Sequence, residues 1–189
     1  MTRFISLVTV LILAAVGVVA CSSGSLGAGN GHLSIQLTDA PIDLSDVEEV
    51  RVTLDEFLVY PADGSGPIPL DLATEGPLTL NLLDYRDGAV VLTADGEVPG
   101  GDFTRVRMSI VEAVLVTDDD GDSSTPGVEE PIFLPSGKVD IPVAFSIAAG
   151  EERTLTLDFD AERSVQVNET GEPRYILRPV VVPVDLQNS

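Results

Sequence analysis

The chain has 189 residues but only one cysteine, one histidine and no tryptophan, and it carries 10 basic residues against 31 acidic ones. Each scarcity excludes something. A single thiol, Cys21, rules out a disulfide within the chain, so the fold must be held by its core. One Cys and one His leave no cluster for a structural zinc site. A Ser/His/Asp triad would have to be built on His32, which has no partner nearby in sequence and reads as a linker or strand-start residue. Neither a Gly-x-Ser-x-Gly elbow nor a phosphate-binding glycine loop occurs. The formal net charge of −21 repels nucleic acid and anionic lipid and attracts cations. Acid excess with Lys138 as the sole lysine resembles proteins of salty environments, where salt screens self-repulsion, although a GC-rich genome also favours Arg over Lys.

The N-terminus has an order of its own. Arg3 precedes FISLVTVLILAAVGVVA (Phe4–Ala20), a run without charge. A basic start, an apolar stretch and small residues at its end describe an export signal. Val18-Val19-Ala20-Cys21 resembles a bacterial lipobox, in which cleavage precedes the Cys and its thiol carries lipid. That accounts for the odd Cys. The expected organisation is a signal peptide over 1–20, a Gly/Ser linker with lipidated Cys21 over 21–31, one domain over 32–185 and a tail over 186–189. Ser22 after the Cys implies an outer-membrane address if the cell is Gram-negative.

Beyond residue 32 the period is two. Leu33, Ile35 and Leu37 alternate with polar residues, as do Val50, Val52 and Leu54, then Val106, Met108 and Ile110, then Leu155, Leu157 and Phe159. Each set predicts a strand with one face in a core. Further strands are expected at Thr79–Leu83, Ala89–Thr93, Pro131–Leu134, Val139–Phe145, Ser164–Val167 and Tyr175–Val184. Pro179 and Pro183 place the last at an edge or a bulge. No segment sustains a 3.6-residue period, although Ser45 and Glu48 have capping-box spacing for a short helical turn. Many short strands with Gly/Pro/Asp turns between them predict an all-β, antiparallel β-sandwich or barrel.

LTDAPID (Leu37–Asp43), VPGGDFTRVRMSI (Val98–Ile110), LPSGKVDIPVAF (Leu134–Phe145), LTLDFDAERSV (Leu155–Val165) and YILRPVVVPV (Tyr175–Val184), in this order, resemble an exported bacterial and archaeal domain family of unknown function, number 4382. The resemblance implies an Ig-like or transthyretin-like sandwich and brings no catalytic residues. From the residues alone, Pro41 stops the first strand and Asp39 accepts hydrogen bonds from backbone N–H groups of the turn. Pro135-Ser136-Gly137 reads as a turn, and Gly100-Gly101 as a loop with unusual backbone angles.

Two carboxylate groups are candidates for chemistry. TDDDGDSSTPGVEE (Thr117–Glu130) holds six acidic residues. Asp118, Asp120, Asp122 and Glu129 fall at positions 1, 3, 5 and 12 of an EF-hand-like register, the pattern of a calcium loop. Position 6 of that register demands Gly and is Ser123, and Pro126 interrupts, so the EF-hand itself is excluded. A looser calcium site at these four residues, or a solvated hairpin tip, remains. In LDFDAE, Asp158, Asp160 and Glu162 at i, i+2 spacing are expected on one strand face, in ion pairs with Arg105 and Arg107 of a neighbouring strand.

The expected function is a non-enzymatic binding or adhesion module, held in the cell envelope by membrane lipid on Cys21, with a glycan or envelope protein as partner and no nucleic acid. The alternatives are a calcium-dependent hydrolase using the loop carboxylates and a structural component of the envelope.

Overall fold

The period-two pattern becomes pleat in the computed structural model, which describes residues 29–39, 47–117 and 127–188. In β1 (Asn30–Thr38) Leu33, Ile35 and Leu37 are buried, and the residues between them are half-exposed. The strands that follow are β2 (Val47–Pro61), β3 (Ile68–Leu72), β4 (Leu78–Asn81), β5 (Val91–Pro99), β6 (Gly101–Thr117) and β7 (Val128–Pro131). The last five are β8 (Lys138–Ile147), β9 (Glu152–Phe159), β10 (Val165–Val167), β11 (Tyr175–Leu177) and β12 (Val181–Asn188). The helical content described is a 3-10 turn, Leu82–Tyr85, and one four-residue helix, α1 (Ala161–Ser164).

Ten of the strands form one sheet in the order β12-β9-β1-β5-β3-β2-β6-β7, with β4 on β2 and β8 on β6. β10 and β11 make a separate antiparallel pair. The sheet is all-β and curled, and the two long strands show why. β2 buries Val50, Val52 and Leu54, then exposes Asp55 and Glu56 together, then resumes with Phe57 and Val59. β6 does the same opposite it: Val111 and Glu112 are both exposed between buried Ile110 and Ala113. The register slips at this point, which is a bulge, and a bulge bends the strand that carries it. The inner faces of both halves meet in one core that joins Leu33, Ile35, Leu155, Leu157 and Phe159 to Phe57, Val106, Met108 and Ile141. Phe103 and Phe145 stack at its end, with centroids 5.1 Å apart.

Several expectations change. The sheet is mainly antiparallel, but β1 lies parallel to β9, with His32 opposite Glu152 and Thr38 opposite Asp158. Side-chain alternation reports a face and carries no strand direction. Val47–Glu49 belong to β2 and not to a helical turn, because Val50 and Val52 set the strand's phase; Ser45 lies outside the described residues. β3 was not anticipated, as Pro67 and Pro69 obscure the alternation of Ile68, Leu70 and Leu72. The segment 175–184 is two strands, β11 and β12, split at Arg178–Val180. β12 is the outermost strand, and its register shifts at Pro183, so that proline sits at both an edge and a bulge. Gly100 is crowded and not twisted: a side chain there would meet the Gly29 oxygen at 3.2 Å and the Ala149 nitrogen at 3.3 Å.

Candidate functional site

Of the calcium candidates, Asp118, Asp120 and Asp122 lie outside the described residues, as does Cys21. Glu129 is described. It stands on β7, where its carboxylate accepts a hydrogen bond from the Arg51 guanidinium of β2, and Arg51 also pairs with Glu49 at 2.9 Å. Glu130 beside it pairs with Arg174 at 3.3 Å. These two acids are therefore engaged by arginines that brace β7 against its neighbours. Among the described residues no group of three or more His, Cys, Asp or Glu is placed to hold a metal ion.

The LDFDAE carboxylates do not share a face. The strand ends at Phe159, and Asp160 caps α1 by accepting from the Arg163 N–H at 2.8 Å, while Glu162 lies in the first turn of that helix. Arg105 and Arg107 do not pair with Asp158 or Asp160. Both reach Asp140 on β8: Arg107 donates Nε to Oδ1 at 2.9 Å and Nη2 to Oδ2 at 2.8 Å, and Arg105 Nε lies 3.5 Å from Oδ1. The two guanidinium groups also flank the Tyr60 ring, at 3.9 and 5.3 Å from its centroid. Sequence reasoning found the right arginines and the wrong partner, because the neighbour of β6 is β8 and not β9.

Asp39 proves the most unusual acid. β1 ends at Thr38, as the following Ala40-Pro41 requires. Asp39 then turns inward and is only 2% exposed. Its N–H donates to the Tyr85 carbonyl at 3.1 Å, and its Oδ1 accepts from the Ala161 N–H at 3.0 Å. One residue thus joins the end of β1, the 3-10 turn and the start of α1. Its other oxygen, Oδ2, is buried with no hydrogen-bond partner. Burial away from water pushes the Asp39 carboxyl up to about 7, and the charges of Asp158 and Asp160 add to the rise, while the Ala161 N–H and Arg86 act against it. The same corner is tied by Ser164, fully buried, which donates Oγ to the Asp160 carbonyl at 2.5 Å and accepts from the Val180 N–H at 2.8 Å. The acceptor role expected of Asp39 is present, but its donor comes from α1, far along the chain.

His32 lies at the start of β1 with Nε2 3.3 Å from Asp95 Oδ2, and both are well exposed. The PSG turn is closed by Ser136 Oγ, which accepts from the Lys138 N–H at 3.3 Å, and it docks on β6 through the Gly137 carbonyl, 2.6 Å from the Ile110 N–H.

A family model described as a domain of unknown function, DUF4382, matches residues 30–179. The chain belongs to that family. The matched span begins in β1 and ends after β11, so both the Asp39 corner and the Asp140 cluster are parts of the DUF4382 domain. No curated protein and no solved structure matches the chain.

Proposed function

We propose that this DUF4382 protein is an exported lipoprotein, tethered through lipid on Cys21 to a membrane of the cell envelope, whose domain binds an envelope glycan or protein without transforming it. The observation that carries the reading is the position of the sole thiol. It closes an uncharged run behind Arg3, and it precedes the first strand by a short Gly/Ser-rich spacer. Two acyl chains on one such Cys suffice for a stable anchor, at about 0.8 kcal/mol per buried CH₂. In this reading the curled sheet serves as a sandwich of Ig-like or transthyretin-like type, and a rigid β scaffold presents its loops and faces to a partner. The outer membrane is the expected address in a Gram-negative cell.

The test is membrane fractionation of the Cys21→Ser protein. Release of the variant into the soluble fraction supports the tether, and retention in the membrane overturns it. Incubation of the domain with an array of envelope glycans tests the second half: capture of intact glycan supports a binding module, and release of shortened product overturns it.

A further inference from the structure

The charge of this domain is unevenly spent. All of its ten basic residues except Arg3 are described. Arg51, Arg105, Arg107, Arg153, Arg163 and Arg174 pair with carboxylates, and Arg86 donates to the Leu83 carbonyl. Among the described residues Lys138 and Arg178 alone have no side-chain acceptor, and the two line the same groove. The groove runs between the start of β8 and the segment after β11, and Pro135, Val139, Leu177 and Pro179 form its apolar walls. Asp140 also borders it, but its carboxylate is already gripped by Arg107 and Arg105. Two cations without a carboxylate partner therefore line one groove, on a chain whose net charge is −21. The net charge of the molecule repels another acidic surface as a whole, while a local cationic site holds a small anionic group at short range.

The backbone around the groove narrows the ligand further. Prolines 135 and 179 have no N–H to offer. The Lys138 N–H is taken by Ser136 Oγ, the Leu177 N–H by the Phe133 carbonyl and the Arg178 N–H by the Ser164 carbonyl. These three N–H groups are therefore not offered to a peptide strand adding along this groove. What remains is a pair of side-chain cations beside apolar ring and methyl surfaces. That combination fits the C–H face of a sugar ring whose carboxylate meets Arg178 in a forked pair and Lys138 as a point charge.

We infer that the groove between Lys138 and Arg178 binds a uronate residue of an acidic glycan. The inference rests on the binding-module reading above and deepens it by naming the ligand class and the place. Both cations are exposed, so their replacement leaves the core untouched. The probe is an oligogalacturonate, titrated into the full-length protein by calorimetry, with a neutral hexose oligomer and a polyglutamate peptide of equal length alongside. The expected result is binding of the uronate alone, weakened at least tenfold in Lys138→Gln/Arg178→Gln and weakened by salt. Asp140→Asn, which removes the one carboxylate that borders the groove, is expected to tighten it. Equal binding of the peptide overturns the carbohydrate assignment, and undiminished uronate binding in the double variant overturns the site. Fractionation of Cys21→Ser reads the tether separately, so failure of one reading is distinguishable from failure of the other.

Discussion

The Ala161 N–H reaches Asp39 Oδ1 at 3.0 Å across 122 positions of sequence, and in doing so it fixes a carboxyl group in a buried corner beside Asp158 and Asp160. The Asp39 carboxyl rises from its ordinary 3.8 to about 7, so between those values the folded chain holds a proton that the unfolded chain releases. The contribution of this group to stability is therefore full below pH 4, declines as pH rises toward 7, and is flat above. Its size is on the order of 4–5 kcal/mol, taking about 1.4 kcal/mol per unit. Asp140, held low by its hydrogen bonds to Arg107, has the opposite sign and loses its contribution only as pH falls below the ordinary carboxylate value. Urea midpoints from pH 5 to 8 are expected to fall for the parent protein and to stay level for Asp39→Asn, which keeps the Oδ1 acceptor and never ionises.

Glu129 is already engaged by Arg51. Glu129→Gln is expected to leave calcium binding of the chain unchanged, read by calorimetry at millimolar calcium. Because Glu129 and Arg51 are both solvent-accessible, the same substitution should cost no more than about 1 kcal/mol in urea denaturation. A loss of calcium affinity in this variant would return Glu129 to the ligand set.

Gly31 lies in β1 where a side chain would meet Ile147 Cγ2 at 2.3 Å and the Ala148 and Glu151 carbonyl oxygens at 2.8 Å. Gly31→Ala is expected to destabilise by about 1–3 kcal/mol, since two of the three obstacles are backbone. Gly101→Ala, with nothing within 4 Å of the added carbon, is the control and should change stability by less than about 0.5 kcal/mol. Both are measured by chemical denaturation.

The acid excess predicts a salt response. With 31 acidic residues against 10 basic ones, self-repulsion favours the expanded chain, and screening relieves it. The thermal midpoint is expected to rise between low and high NaCl, and an unchanged midpoint would contradict the repulsion argument.

What was legible in the sequence was local. The buried faces of β1, β2, β6 and β9 follow from alternation, and the edge position of β12 follows from Pro183. What was not legible depends on strands that meet only after folding. The pairing of Arg107 with Asp140 requires knowing that β8 lies beside β6. The burial of Asp39 requires α1 to close over the end of β1, and nothing near LTDAP in the chain announces it. The bulges in β2 and β6 were not read from the sequence: Asp55-Glu56 breaks the alternation, but Val111-Glu112 opposite it does not look polar, and only their opposition across the pair makes a bend.

The parallel pairing of β1 with β9 carries a consequence for synthesis order. His32 finds Glu152 and Thr38 finds Asp158, so the first strand is flanked by β5 on one side and by one of the last strands on the other. A polypeptide emerging from its N-terminus must complete Phe159 before that slot can close, and pairings of such long sequence separation form late. The sheet thus cannot close around its first strand until nearly all of the domain has left the ribosome.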